Sequence, residues 1–77
     1  MKSKVTIIGL GYVGLGIALA ATKKYQVVGF DLSEDRVRLL IEGKSYIEGI
    51  EDKNVSNSIA NGVFKPTTEE KHIEGSE

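Results

Sequence analysis

Short β-branched runs alternate along this chain with stretches in which apolar residues return every three or four positions. Residues 4 to 8 hold Val5, Ile7 and Ile8 with only Thr6 interrupting. That near-continuous apolar pattern belongs to a strand buried on both faces and favours a central parallel strand. Tyr12 to about Lys23 is apolar nearly all round and predicts the first helix. Gly14, Ala18 and Ala21 recur at helical spacing as a small-residue ridge expected against the sheet, with Leu15 and Leu19 on a neighbouring face. Lys23 and Lys24 suit the negative end of the helix dipole. Tyr25 to Phe30 predicts the second strand, weakened by Gly29 unless another backbone or a ligand comes close there.

Ser33 is placed to cap a second helix, because Glu34 and Asp35 then occupy its first turn. Val37, Leu40 and Ile41 form the apolar stripe of that helix, and Gly43 suits its C′ position. Lys44 to Lys53 reads as a polar loop. Its carboxylates, Glu48, Glu51 and Asp52, have no His, Cys or EF-hand spacing around them, so a solvated acidic loop is expected rather than a metal site. Asp52 to Asn61 fits a short helix with Val55 and Ile59 on one side and Gly62 ending it. Val63 and Phe64 predict a short third strand stopped by Pro66. Thr67 with Glu70 has capping-box spacing for a final turn over 69–73, and the single His72 is expected at the surface.

The first strand breaks into glycines at 9, 11 and 14, which spell G-x-G-x-x-G between a strand and a helix. Each glycine has its own task. Gly9 permits the tight turn, Gly11 lets a pyrophosphate approach the backbone, and Gly14 lets the helix lie close to the sheet. The phosphates would face unpaired N–H groups and the positive end of the helix dipole. Asp31 ends the second strand 22 positions after Gly9, close to the expected spacing of about 20. A carboxylate there can accept the hydroxyls of an adenosine ribose and would repel a 2′-phosphate, so NAD is favoured over NADP. The competing readings are a structural glycine turn in an unrelated α/β domain and an Asp31 that merely caps the next helix. Arg36, one turn into the second helix, either reaches back over the adenosine or is solvated, and Arg36 with Arg38 keeps a 2′-phosphate in view.

Seventy-seven residues with net charge -1, 27% charged and 40% hydrophobic, describe an ordinary soluble protein with room for one small core. A complete dinucleotide-binding domain has two βαβαβ halves, so about one half fits, and the chain is expected to be a piece. The balanced charge argues against nucleic acid. With no cysteine, disulfides, thiolate metal sites and a cysteine nucleophile are excluded within these residues. Lys2 and Lys4 before the apolar run from Val5 to Ala21, with Ala18-Leu19-Ala20 near its end, imitate a signal peptide. Glycines at 9, 11, 14 and 16 interrupt that run and its two halves prefer different secondary structures, which argues for a cytoplasmic protein with no membrane partner.

Gly9-Leu10-Gly11-Tyr12-Val13-Gly14-Leu15 with the Val28-Gly29-Phe30-Asp31 ending resembles the N-terminus of the UDP-glucose/GDP-mannose dehydrogenase family, nearest its UDP-N-acetylmannosamine dehydrogenase branch. The resemblance continues through Arg36-Val37 and the Tyr46 to Ile50 loop to Thr67-Thr68. It implies an NAD-dependent oxidoreductase of polysaccharide biosynthesis that oxidises the C6 hydroxyl of a nucleotide sugar to a carboxylate in two steps, through a thioester on a cysteine. By the same resemblance Gly9, Leu10, Gly11, Tyr12, Val13 and Gly14 bind pyrophosphate, Asp31 the ribose and Arg36 the adenosine side of NAD. Catalytic and sugar-binding residues fall downstream of this chain, so no residue here is catalytic. Two departures stand out: Gly16 where many members carry proline, and Glu48-Gly49 in place of Glu-Pro-Gly.

The expectation is therefore α/β: residues 1–77 as the N-terminal half of an NAD-binding Rossmann domain, the first half of a doubly wound parallel sheet with strand order 3-2-1. The isolated chain is not expected to catalyse, and a UDP-sugar would meet only the full-length protein. The rival expectation is a small non-catalytic dinucleotide-binding or self-associating module, because an open edge on the first strand invites pairing with another chain.

Overall fold

The computed structural model describes residues 3–70. Its elements run β1 (Lys4–Ile8), α1 (Tyr12–Ala21), β2 (Gln26–Phe30), α2 (Glu34–Ile41), α3 (Asp52–Ala60) and β3 (Phe64–Thr67). The strands form one parallel sheet ordered β1-β2-β3, which from the other edge is the expected 3-2-1. Ile8 and Thr67 both pair with Phe30, so the three strands end level. The segments leaving their carboxyl ends therefore start from one edge of the sheet, where ligands bind in open α/β folds.

Leu10, Leu15, Ala18, Val27, Leu40, Val55 and Phe64 form the buried core. Each helix contributes to it by the periodicity that made it: Leu15 and Ala18 from α1, Leu40 from α2, Val55 from α3. Ser33 Oγ accepts the Arg36 N–H and caps α2 as expected. Ile41 departs from the expected stripe and is exposed, because Val37 and Leu40 already fill the face turned to the sheet. Lys23 and Lys24 lie beyond α1, which stops at Ala21 with Thr22 as its C-cap; the Thr22 hydroxyl donates to the Leu19 carbonyl at 2.6 Å.

Three further expectations change. Gly29 is accommodated by neighbouring side chains: a Cβ on it would lie 2.8 Å from Leu10 Cδ2 and 2.9 Å from Phe64 Cε1. Pro66 does not stop β3 but lies inside it, opposite Gly29. The Val63 and Thr67 carbonyls accept from β2, so the intervening even position turns its missing N–H away from the ladder, where proline is tolerated. Finally, the 44–51 segment is only partly the solvated loop expected: Glu48 and Glu51 are exposed, while Tyr46, Ile47 and Ile50 pack against the core.

The apolar run from Val5 to Ala21 divides between β1 and α1, and no helix among the described residues is long and apolar enough to cross a membrane. The turn expected over 69–73 falls mostly outside the described residues, as does His72; at its start the Glu69 N–H donates to Thr67 Oγ1 at 3.0 Å.

Candidate functional site

Between β1 and α1 the chain reverses through three consecutive peptide units, each held by a different partner. The Gly9 N–H donates to the Phe30 carbonyl at 2.7 Å. The Leu10 N–H donates to Asp31 Oδ2 at 2.8 Å, and the Leu10 carbonyl accepts the Tyr46 hydroxyl at 2.5 Å. Gly9 has φ +91°, a conformation costly for residues with a Cβ. A Cβ on Gly14 would stand 1.8 Å from the Gly9 carbonyl oxygen, so α1 lies pressed against the turn, as the fingerprint requires. Gly11 serves as N-cap without a side-chain cap, and no acid occupies the first turn of α1. The positive end of that helix is left for an anion by its own residues.

Asp31, 8% exposed, faces this turn from the end of β2. Its Oδ1 accepts the Ser33 N–H at 2.8 Å, while Oδ2 accepts Leu10 N–H and, at 3.3 Å, Arg36 Nη1. Burial opposes its ionisation, but the Ser33 and Leu10 N–H groups and then the Arg36 charge outweigh burial and hold the carboxyl below its ordinary value. Asp31 is thus an anion at neutral pH. It supports the capping residue of α2 through the Ser33 N–H and holds the glycine turn through the Leu10 N–H.

The Arg36 guanidinium, on a side chain that is 47% exposed, bridges Asp31 and the Tyr46 ring, 5.8 Å from the ring centroid. Nη1 also comes within 3.9 Å of where a Cβ on Gly11 would be. Arg38 is engaged with Asp35 at 3.3 Å on the α2 surface. Tyr12 and Val13 are exposed beside the helix start, whereas the Leu10 side chain is fully buried. Leu10 therefore shapes the turn from beneath.

Tyr46 is the residue that the sequence reading missed. Burial pushes its phenol above the ordinary value, with Arg36 opposing and Asp31 reinforcing, so the hydroxyl stays protonated and able to donate. Its partner lies 36 positions earlier, a separation that no local periodicity reports. The available signal was an aromatic hydroxyl in a polar segment, which needs a partner wherever its ring is buried.

Residues 3–77 match the model of the NAD binding domain of the UDP-glucose/GDP-mannose dehydrogenase family. The chain belongs to this family. NAD is accordingly the cofactor of the domain. The sequence is 38% identical over 68 residues to the UDP-N-acetyl-D-mannosamine dehydrogenase of Campylobacter jejuni, across 86% of this chain and 17% of that protein. It is 50% identical over 40 residues to the UDP-N-acetyl-D-glucosamine 6-dehydrogenase of Pseudomonas aeruginosa, across 52% of this chain and 10% of that protein. The fold matches a UDP-D-ManNAc dehydrogenase from Pyrococcus horikoshii with a TM-score of 0.88 at 28% identity, over 95% of this chain and 18% of that one. The chain thus spans less than a fifth of the length of each of these relatives.

Proposed function

We propose that residues 1–77 are the first half of the NAD domain of a nucleotide-sugar 6-dehydrogenase, and that they hold the adenosine diphosphate end of the cofactor. The observation that carries this reading is the convergence of Asp31 on the uncapped start of α1. In it, the amides of Gly11, Tyr12, Val13 and Gly14 receive the pyrophosphate, over a turn formed by Gly9 and Leu10. A carboxylate has about four acceptor sites, and Ser33, Leu10 and Arg36 use three of those on Asp31. The free site on Oδ1 takes one ribose hydroxyl. The long contact with Arg36 is the one to yield for a second, as that arginine moves onto the adenosine. A 2′-phosphate would meet the Asp31 charge, and Arg38 already pairs with Asp35, which supports NAD over NADP.

Bound NAD supplies a hydride acceptor; the residues here only grip and orient it. In the parent protein we place a two-step oxidation of a UDP-sugar C6 hydroxyl to a carboxylate. Relatives named for UDP-N-acetyl-D-mannosamine and UDP-N-acetyl-D-glucosamine support an N-acetylated UDP-hexosamine as the substrate, beside a relative named for GDP-mannose that is equally similar. Calorimetry on the isolated chain should register weak NAD binding and weaker NADP binding. Asp31→Ala should lower NAD affinity by about tenfold or more, the value of a charge-assisted hydrogen bond. Tight binding, an unaffected Asp31→Ala variant, or turnover by the chain alone would each overturn the reading.

A second reading is favoured by one observation. Among the described residues β1 pairs on one side only, and Ile8, Tyr12, Val13 and Ile17 are exposed. Self-association through that edge would make the chain an assembly module. Sedimentation returning a monomer at high concentration would remove it.

A further inference from the structure

We infer that Tyr46 is a positioning residue of the glycine turn: by holding the Leu10 carbonyl, its hydroxyl aims the Gly11 N–H at a diphosphate. This rests on the cofactor reading proposed above. The peptide between Leu10 and Gly11 is trans and planar, so its carbonyl and its N–H point in opposite directions. Fixing the carbonyl on Tyr46 therefore fixes the Gly11 N–H away from Tyr46. The same bond polarises the peptide and makes that N–H a stronger donor.

The turn needs such a restraint because Leu10 is flanked by glycines, whose freedom would otherwise let the peptide rotate. Its neighbours are already held, the Gly9 N–H by Phe30 and the Leu10 N–H by Asp31. Tyr46 completes the set from a segment that is itself braced. The Ser45 N–H donates to Asp52 Oδ1 at 2.8 Å, and Ser45 Oγ both donates to the Ile47 carbonyl and accepts the Ile47 N–H at 3.1 Å. Arg36 lies over the ring from the α2 side. A donor aimed before the ligand arrives spares the cost of ordering it on binding.

Tyr46→Phe removes the hydroxyl and keeps the ring under Arg36. The test titrates NAD, ADP and adenosine into the isotope-labelled chain, wild type and variant, while following backbone amide resonances. In the variant, the Gly11 amide should shift before any ligand is added. Affinity for ADP and NAD should fall roughly two- to tenfold, the span of one net hydrogen bond, while adenosine affinity stays unchanged. Ser45→Ala keeps the phenol but loosens its segment, and should reproduce the same selectivity at smaller amplitude. Equal losses for ADP and adenosine would reduce Tyr46 to a structural prop, and no loss for any ligand would overturn the inference outright. If the wild-type chain bound none of the three, the cofactor reading would fall by itself. The Gly11 resonance would still decide the inference, which is overturned if Tyr46→Phe leaves that resonance in place.

Discussion

Gly14 and Gly16 lie two residues apart in the same helix, yet adding a methyl group to each should move stability in opposite directions. A Cβ on Gly14 would stand 1.8 Å from the Gly9 oxygen and 2.9 Å from the Gly9 carbon, far inside the 3.4 Å at which ordinary contact begins. The oxygen cannot rotate aside, because the N–H of its own peptide, that of Leu10, is bound to Asp31 at 2.8 Å. Helix and strand must therefore separate. Overpacking costs about 1–3 kcal/mol where side chains can yield, and here the obstacle is backbone, so Gly14→Ala should lose about 3 kcal/mol or more. For a chain of this size, total stability is of order 4–12 kcal/mol, so a large share disappears. A Cβ on Gly16 meets nothing within 4 Å, and replacing a helix-interior glycine there should gain about 0.5–1 kcal/mol. Urea unfolding followed by far-ultraviolet circular dichroism measures both, and at a slope of about 1–3 kcal/mol/M the two midpoints should separate by more than about 1 M. The reasoning is refuted if Gly14→Ala unfolds within about 0.5 kcal/mol of wild type, or if both variants move the same way.

Two more outcomes follow from the site and the sheet. The folded state holds Asp31 below its ordinary carboxylate value, so it releases its proton more readily than the unfolded chain does. Its contribution is then fully present above the unfolded pKa and lost as pH falls through the lower folded one. The stability gap between wild type and Asp31→Asn should accordingly be flat near neutrality and close in acid below about pH 4; urea midpoints measured across that range would show instead a gap independent of pH if the carboxylate charge is irrelevant. In β1, Thr6 Oγ1 is buried without a hydrogen-bond partner among the described residues. Thr6→Val keeps the shape and removes the stranded hydroxyl, so it should raise thermal stability by about 1 kcal/mol, and a loss would mean that the hydroxyl has a partner after all.

Local rules made the fold legible because each element is decided within about a dozen residues. Val5 to Ile8, the Ser33 cap and the Val55–Ile59 spacing carry their own structural instructions, and the glycine spacing turns two of those elements into a candidate site. What escaped was decided by contacts across the sheet. Pro66 reads as a strand breaker until the parity of the ladder shows that its nitrogen faces outward. Gly29 reads as a weakness until Leu10 and Phe64 are seen to occupy the space its side chain would need.

Tyr46 belongs to the same group and has more consequence. The polar residues around it suggested a solvated loop, but a ring beneath Arg36 with its hydroxyl on the Leu10 carbonyl makes that segment the third support of the glycine turn. A fingerprint names the residues that must be small, since steric exclusion acts between neighbours in the chain. It is silent about what holds a small residue still, because a glycine offers no side chain for the purpose and the restraint has to be imported. In this chain it comes from Phe30, Asp31 and Tyr46, one support for each successive peptide. On the proposed cofactor reading, removing glycine's freedom by local substitution would block the ligand, whereas pinning the backbone from outside leaves the approach open.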